Sequence, residues 1–227
     1  MTYKLLALDL DGTLLNSDQK ISAKNCSMIK KAKENGIKVV IATGRMFNSA
    51  LPYIDKLDLS GPMITYNGAL IKEAKTGQLI DHKPLNKEDI KEILAIARDR
   101  NIHINMYHND QLYVEKYSNE AVFYENISGI KARQIKSLNE LIEFEITKIL
   151  LIDRNQDRYK SHLSYFKNNY SDDLSISKSS SSYIDIMAKG VSKGNALLKI
   201  AKLYDISSDQ IIAIGDSPND LTMIKKV

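Results

Sequence analysis

Two aspartates directly follow the first apolar segment of the chain, in the stretch LALDLDGTL. Residues Leu5 to Asp9 predict a strand that enters a hydrophobic core, and this segment ends on Asp9 and Asp11, just before Gly12. Two carboxylates placed this close together cost free energy unless a cation or a shared proton offsets their charge. The pair therefore predicts a site in which a metal ion lies between acidic groups.

The first eighty residues alternate between strand and helix patterns, which is typical of a parallel sheet covered on both faces. The predicted strands are residues 3–10, 37–43 and 62–68, and the predicted helices are residues 21–35 and a segment that ends at residue 57. A hairpin is expected around Thr76 and Gly77. We therefore expect an α/β fold with a Rossmann-like parallel sheet.

The pattern changes near Asn86, where helices become interleaved with hairpins, as in an α+β layer. One hairpin is expected around Asn109 and Asp110, and a short helix is expected at 137–144. After Gly190 the alternation of helix and strand returns. These changes predict a split catalytic core, residues 1–83 and 189–227, with an α+β domain inserted at 84–188.

Composition argues against several classes of function. The chain is 43% hydrophobic and 26% charged, and its net charge of +4 is spread along the sequence rather than gathered into a basic stripe. We therefore expect no nucleic-acid partner, and no apolar run approaches the roughly 20 residues of a membrane span. Because Cys26 is the single cysteine and the N-terminus lacks a signal-peptide pattern, we expect a cytoplasmic protein that does not associate with membranes.

Polar residues stand at the ends of four predicted strands, where ligands bind in open parallel sheets. These ends are DLD at 9–11, TGR at 43–45, NG at 67–68 and GD at 215–216. Asp9 and Asp216 supply hard oxygen ligands suited to Mg²⁺. Donors for a phosphoryl group come from Thr43, Lys193 and the amides around Leu10 and Gly44.

These residues resemble the four sequence motifs of the haloacid dehalogenase (HAD) superfamily. The motifs are DLDGTL at 9–14, the strand end at Thr43, Lys193 within GVSKGNAL, and GDSPND at 215–220. The resemblance is greatest to the Cof-type sugar-phosphatase branch, in which a large α/β cap domain is inserted after the third core strand. It implies a HAD-like core, a substrate-specificity cap at 84–188, and a Mg²⁺-dependent phosphatase. Members of this branch continue past the last motif, and because this chain stops at Val227 we expect the C-terminal end of the core to be truncated.

The resemblance also implies a role for each matching residue. Asp9 would be the nucleophile that forms an aspartyl-phosphate, and Asp11 would be the general acid and then the general base. The implied metal ligands are Asp9, the main-chain carbonyl of Asp11, Asp216 and, behind these or in their place, Asp220. The implied phosphate-binding groups are the Leu10 amide, Thr43, Gly44, Lys193 and Asn219.

Other interpretations of these residues remain open. The implied substrate is a small phosphorylated metabolite, but a phosphomutase shares the aspartyl-phosphate, and a catalytically silent binding protein would retain the pocket. Taken singly, Asp216 and Asp220 also fit caps of the last helix, and Thr43 with Gly44 fits a helix cap. Arg45 fits a substrate contact as well as it fits a surface salt bridge.

Overall fold

The computed structural model of the protein describes residues 2–227, which form two compact units. One unit, termed the core, comprises residues 2–82 and Val191–Val227, and the other, termed the insert, comprises Lys83–Gly190. The sequence predicts an insert at 84–188, inside the second unit.

Strands and helices alternate along the described residues. The strands are β1 (Leu5–Leu8), β2 (Lys38–Ile41), β3 (Pro62–Thr65), β4 (Leu70–Glu73), β5 (Leu79–His82), β6 (His103–His108), β7 (Gln111–Val114), β8 (Ala132–Gln134), β9 (Ile146–Ile152), β10 (Leu174–Ser180), β11 (Tyr183–Ala188) and β12 (Ile211–Ile214). The helices are α1 (Ala23–Glu34), α2 (Phe47–Lys56), α3 (Lys87–Asp99), α4 (Asn119–Ser128), α5 (Gln156–Tyr170), α6 (Lys193–Leu203) and α7 (Leu221–Ile224).

The predicted parallel sheet forms the centre of the core. β1 lies between β12 and β2 and pairs with both in parallel. β3 continues this arrangement through a parallel bridge between Ala42 and Ile64. It also begins an antiparallel sheet with β4 and β5, which form the predicted hairpin. The carboxyl ends of β1, β2 and β12 therefore lie at one edge of the sheet, as the sequence pattern predicts.

Local signals in the sequence explain where the core helices begin. The side chain of Ser22 accepts a hydrogen bond from the Asn25 amide at the start of α1, and Ser192 does the same for the Asn195 amide at the start of α6. α6 packs its apolar face into the core cluster. The buried members of that cluster are Leu5, Ala7, Val40, Ala42, Ile64, Ile71, Ala196, Leu197, Ile200, Ala201, Ile206, Ile211 and Met223.

The insert is built on a six-stranded sheet in the order β10-β11-β9-β6-β7-β8. Its pairs are antiparallel except for β7 with β8. All seven residues of β9 are buried, which fits its central place in the sheet. α3 and α5 contribute apolar side chains to the insert's hydrophobic core, with Ile90, Leu94 and Phe166 fully buried. The α+β character of this segment agrees with its sequence pattern.

The sequence pattern was wrong about three elements of the insert. α4 was not predicted, because its apolar residues do not gather on one helix face, although Ser118 caps its first turn by accepting from the Glu120 and Ala121 amides. The helix expected at 137–144 is only a single 3₁₀ turn, Leu138–Leu141, closed by a capping box between Ser137 and Glu140. β8 was also missed, because three residues give no period to detect.

None of the helices formed by the described residues has the length and apolar character needed to cross a bilayer.

Close packing of α6 against α7 yields a stability prediction at Gly194. A Cβ on Gly194 would lie 2.1 Å from the Thr222 carbonyl oxygen, so the two helix backbones approach more closely than any side chain permits. Helix propensity alone favours alanine by about 1 kcal/mol. We expect the steric clash to dominate, so that Gly194→Ala lowers the free energy of unfolding by about 1–3 kcal/mol.

Urea denaturation of Gly194→Ala measures this effect. Gly77→Ala is the matched control, because its φ of +70° is strained for alanine but no atom lies within 4 Å of the added Cβ. The control should lose only about 1–2 kcal/mol through backbone strain. A Gly194→Ala protein at least as stable as the wild type would show that the two helices are not in contact here.

Candidate active site

A tight turn places the first pair of aspartates at the end of β1. Asp9 follows the strand and is buried. The next residues turn through Asp11 (φ −77°, ψ 122°) and Gly12 (φ 79°, ψ −13°), the angles of a type II turn. Two features favour glycine at position 12. Its φ is left-handed, and a Cβ there would lie 2.4 Å from Oδ2 of Asp216. The absence of a side chain at Gly12 therefore lets the second acidic motif approach the first.

Two hydroxyl groups, from Thr13 and Ser217, fix the side chain of Asp216 near Gly12. The Thr13 hydroxyl donates to Oδ1 of Asp216 over 3.0 Å, and the Ser217 hydroxyl donates to Oδ2 over 3.2 Å. Asp216 is exposed, so hydration alone would leave its side chain free to rotate. These two bonds restrict it to the neighbourhood of the turn at Gly12.

Lys193 links the end of β1 to the last motif. Its ammonium donates to Oδ1 of Asp9 and to Oδ1 of Asp220, both over 2.6 Å. The lysine and Asp220 are fully buried. A buried ammonium is costly unless it is paired, and here two carboxylates pair with it. The unfavourable placement of a cation at the start of α6 is thus offset by its partners.

Burial raises the pKa of Asp9 to about 6. The Lys193 ammonium opposes this change through its charge and its hydrogen bond, whereas the negative charges of Asp220 and Asp11 add to it. A cation bound beside Asp9 would favour its ionised form in the same way as Lys193 does. The site would therefore be stabilised by one additional positive charge.

Three carboxylates gather where a cation would fit. Oxygens of Asp9, Asp216 and Asp220 all lie within 4.8 Å of one another. Such a set of hard oxygen donors suits a small divalent ion. The residues present therefore match the kind of metal that the sequence pattern implies.

Both oxygens of Asp220 accept from a lysine ammonium or from backbone amides, whereas those of Asp216 accept from the hydroxyls of Thr13 and Ser217. Oδ1 accepts from Lys193, and Oδ2 accepts from the amides of Asp216 and Ser217, at 3.2 and 3.0 Å. The bond from the Ser217 amide is half of a capping box that opens the turn Pro218–Asp220. The cap interpretation of Asp220 therefore describes its contacts in the turn before α7, and its role at the metal stays a prediction. Asp9 and Asp216 are better placed than Asp220 to give oxygens to a metal.

Arg45 grips the side chain of Asp11. Its Nε donates to Oδ2 over 2.8 Å and its Nη2 donates to Oδ1 over 2.6 Å, a two-point pair that fixes the carboxylate plane. The guanidinium also donates to Gln19 and lies 5.1 Å from the ring centroid of Tyr53. This hydrogen bonding raises the pKa of Arg45 above its ordinary value. Of the two interpretations of Arg45, the structure shows an ion pair, but one made with a candidate catalytic residue.

The remaining predicted site residues lie on three loops of the core, after β1, β2 and β12. Thr43 is fully buried, and its hydroxyl accepts from the Arg45 amide over 3.1 Å. Leu10 is buried at the start of the Gly12 turn. Asn219 donates its side-chain amide to Oδ1 of Asn67 over 2.9 Å. The roles of these residues and of Gly44 in phosphate binding stay predictions.

Asn67, at a polar strand end to which the sequence assigned no role, joins the loops that carry Gly44 and Asn219. A Cβ on Gly44 would lie 2.9 Å from Oδ1 of Asn67, so the side chain fits against a bare stretch of backbone. Oδ1 also receives Asn219, whereas Nδ2 is buried without a hydrogen-bond partner within residues 2–227. A buried hydrogen-bond donor without a partner costs free energy. Such donors are common at ligand sites. Asn67 therefore contacts the loops of Gly44 and Asn219, the two candidate phosphate loops. Its Nδ2 remains available as a donor to a ligand.

The backbone around Asn67 is bonded to the same loop. The Asn67 amide donates to the Thr43 carbonyl over 3.0 Å, and the Tyr66 amide donates to the Arg45 carbonyl over 2.9 Å. Both Tyr66 and Asn67 have left-handed φ values, 50° and 56°. Consecutive non-glycine residues in this region are strained, and such strain is found mainly at functional sites. On its other side, a Cβ on Gly68 would lie 2.4 Å from the Ser192 carbonyl oxygen, at the start of α6.

The sequence contains only weak signals for Asn67 and Thr13, the two residues of the site to which it assigned no role. The Asn-Gly pair at the end of β3 indicates a turn with positive φ, which the structure contains, but not a contact with Asn219. Thr13 lies within the first motif, but its bond to Asp216 spans 203 residues. Contacts between side chains this distant in sequence are not encoded in local patterns.

Comparisons with known proteins define the family. The family model described as haloacid dehalogenase-like hydrolase matches residues 6–227. The 5-amino-6-(5-phospho-D-ribitylamino)uracil phosphatase YwtE of Bacillus subtilis is 31% identical, over 98% of this chain and 84% of that protein. TM0651 of Thermotoga maritima has a similar structure, with a TM-score of 0.85 and 31% identity over 99% of this chain and 84% of that chain. A haloacid dehalogenase-like hydrolase of B. subtilis gives a TM-score of 0.88 at 25% identity, over 98% and 86% of the two chains.

The fold is built on a parallel α/β sheet, and three carboxylates gather at the carboxyl ends of its strands. The chain belongs to the haloacid dehalogenase-like hydrolases.

The contacts of Asn67 predict a loss of phosphate affinity in Asn67→Gly. Glycine keeps the left-handed backbone without strain but removes the acceptor that orients Asn219. We expect inorganic phosphate to bind roughly tenfold more weakly, as measured by calorimetry.

Asn101→Gly is the matched control, because Asn101 is a left-handed asparagine (φ 52°) on the insert. It should leave phosphate affinity unchanged. Equal affinities in the two variants would rule out a role for the Asn67 side chain at the phosphate.

Proposed function

We propose that this hydrolase is a Mg²⁺-dependent phosphatase that cleaves small phosphorylated metabolites through an aspartyl-phosphate on Asp9. The observation that carries the proposal is a buried carboxylate, Asp9, bonded to a buried lysine and lying beside Asp216 and Asp220. Such a group is shielded from water and has a cationic neighbour, Lys193, as a nucleophile toward an anionic phosphoryl group requires.

The proposed reaction has two steps, each using the same pair of aspartates. In the first step Asp9 attacks phosphorus, the bond from phosphorus to the ester oxygen breaks, and protonated Asp11 gives its proton to the leaving oxygen. In the second step Asp11 takes a proton from a water molecule, which attacks the aspartyl-phosphate. Inorganic phosphate leaves, and Asp9 is restored as a carboxylate. The two-point pair with Arg45 orients the Asp11 carboxylate for this role.

Charge stabilisation is the main contribution that the other residues make. Lys193, Thr43, Asn219 and the amides of Leu10 and Gly44 would donate to the oxygens of the transferring group. Asp9 and Asp216 would hold Mg²⁺, with Asp220 in support, and the main-chain carbonyl of Asp11 would complete the set. The ion would supply positive charge that offsets the negative charge of the transferring group.

The insert is proposed to be the cap domain that selects the substrate. The YwtE relative is named for a substrate that carries a phosphorylated ribityl chain, and sugar phosphates present similar groups. We therefore include a ribityl phosphate and several sugar phosphates among the candidates. We propose that the protein is cytoplasmic, acts on such metabolites and has no nucleic-acid or membrane partner.

Substitution of the nucleophile tests the mechanism. We expect Asp9→Asn to lower phosphate release from 4-nitrophenyl phosphate and from sugar phosphates by at least about 1,000-fold, because an amide cannot form the phosphorylated intermediate. Phosphate release is measured with Mg²⁺ and with EDTA, and Asp18→Asn, an exposed aspartate outside the acidic trio, serves as the control. The control should behave as wild type.

The products separate the alternative functions. A phosphatase releases one phosphate for each ester consumed, whereas a mutase returns the phosphoryl group to the sugar at another position. A folded protein that binds the esters with Mg²⁺ and releases no phosphate would be a binding protein instead.

The pKa of Asp9 predicts how Mg²⁺ binding depends on pH. Since burial raises this pKa to about 6 in the metal-free protein, Asp9 is protonated below pH 6 and ionised above it. A proton and Mg²⁺ compete for the same oxygens, so affinity should be constant above pH 7 and fall up to about tenfold for each pH unit below 6. Calorimetric titration at several pH values measures the Mg²⁺ affinity. The affinity of Asp9→Asn should lack this dependence on pH. An equal affinity at pH 5 and pH 7.5 would contradict the assignment of Asp9 as a ligand.

A further inference from the structure

The Arg45 guanidinium donates to other side chains besides that of Asp11. Its Nη2, which donates to Oδ1 of Asp11, also donates to Oε1 of Gln19. Its Nη1 donates to the Tyr53 hydroxyl over 3.4 Å, and its Cζ lies 5.1 Å from the centroid of the Tyr53 ring. All four residues belong to the core. The guanidinium that pairs with Asp11 is therefore itself held by neighbours on other segments of the core.

The pair of Arg45 and Asp11 is open to water. The two side chains are 23% and 47% exposed. Ion pairs at this level of exposure restrict their side chains only weakly, because water competes for both charges and long side chains retain several rotamers. The direction of the Asp11 carboxylate therefore depends on what else holds the guanidinium.

A locked loop carries Gln19. Oδ1 of Asn16 accepts from the Lys20 amide over 2.9 Å, and the Asn16 carbonyl accepts from the Gln19 amide, also over 2.9 Å. An antiparallel bridge between Leu15 and Ile21 closes the loop at its base. These bonds fix the backbone from which the Gln19 side chain reaches Arg45.

The backbone of Gln19 is strained. Its φ is 58°, in the left-handed region that glycine and asparagine adopt at lower cost than glutamine does. Residues held in this region cluster at functional sites, where the surrounding structure uses the side chain or the backbone. Here the long side chain of Gln19 reaches the guanidinium, which a glycine could not do.

Tyr53 holds the guanidinium from a helix. It lies on α2, which begins two residues after Arg45, so the helix fixes where its ring stands. The ring offers its electron-rich face to the cation, and the hydroxyl accepts a hydrogen bond from the same group. A planar guanidinium bonded at several points can no longer rotate about its flexible stem.

We propose that Gln19 and Tyr53 are positioning residues that act through Arg45 on Asp11. By fixing the guanidinium, they fix the direction of the carboxyl group that exchanges a proton with the ester oxygen and with water. The inference rests on the proposed function and adds no chemical step to it. It assigns two side chains outside the sequence motifs to the proton transfer.

The leaving group decides how much this positioning matters. 4-Nitrophenolate is a weak base that leaves with little help from an acid, whereas phenolate is more basic and gains more from a proton. The two esters have similar shapes, and kcat/KM reports the step in which the ester bond breaks. A misdirected Asp11 should therefore lower kcat/KM for phenyl phosphate more than it lowers kcat/KM for 4-nitrophenyl phosphate.

Gln19→Asn and Tyr53→Phe test the inference. Asparagine tolerates the left-handed backbone but is too short to reach Arg45, and phenylalanine keeps the ring but lacks the hydroxyl. Both melting temperatures should stay near that of the wild type. We expect the ratio of kcat/KM for phenyl phosphate to kcat/KM for 4-nitrophenyl phosphate to fall roughly tenfold in Gln19→Asn and roughly threefold in Tyr53→Phe.

The matched controls are Gln78→Asn and Tyr204→Phe. Gln78 is an exposed glutamine just before β5. The Tyr204 ring also lies against a cation, with Nζ of Lys38 4.1 Å from its centroid, but at the amino end of β2, opposite the acidic groups. Both controls should leave the ratio unchanged.

Nuclear magnetic resonance gives a readout that does not depend on turnover. The Nε–H of Arg45 donates to Oδ2 of Asp11, so its proton should exchange slowly with water, and Arg45→Lys identifies its signal by removing it. We expect this exchange to be roughly tenfold faster in Gln19→Asn and also faster in Tyr53→Phe. Ratios and exchange rates that both variants leave unchanged would overturn the inference.

The two readouts separate this inference from the proposed function. A wild-type protein that releases no phosphate from either ester would overturn the phosphatase. Faster exchange at Arg45 in the two variants would then still support the positioning of Asp11 by Gln19 and Tyr53, and unchanged exchange would overturn it.

Discussion

The buried ammonium of Lys193 is the interaction on which the core depends. It bonds to Asp9 at the end of β1 and to Asp220 in the last turn, so one cation connects three separate parts of the chain. Without it, two buried carboxylates would face each other with no compensating charge. Without them, the ammonium would be buried alone. The site and the packing of α6 therefore stabilise each other, and neither can change independently.

A second level of organisation surrounds this interaction. Asp220 uses its remaining oxygen to accept the Asp216 and Ser217 amides, and Thr13 bonds to Asp216. Each bond fixes a group that a metal or a phosphoryl oxygen would meet. Residues that act on the substrate are thus held by neighbours that do not, which is how precise geometry is kept in a polar pocket.

Much of the core and its site could be predicted from the sequence. Strand ends are visible as apolar runs that stop at polar residues, and parallel topology brings those ends together, so Asp9, Lys193 and Asp216 were assigned to one site. Asn67 was not assigned, because its importance lies in contacts with Gly44 and Asn219 that no local pattern encodes. α4 was missed for another reason: its helix follows from the Ser118 cap and from tertiary packing rather than from an amphipathic period. The buried pair of Lys148 and Asp185 in the insert was likewise hidden, since strand alternation shows which residues share a face but not which of them bond to one another.

The insertion of a whole unit between β5 and α6 has a consequence for how the protein is made. Asp9 and Lys193 are 184 residues apart, and β12, the strand beside β1, follows α6 in the chain. During synthesis β1 and β2 emerge first. β12, which completes their three-stranded parallel sheet, is made only after the whole insert. Over that interval Asp9 lacks its cation, and one edge of β1 is unpaired and open to association with other strands. Rapid folding of the insert by itself would shorten this exposure, because it would bring residues 83 and 190 together before α6 and β12 leave the ribosome.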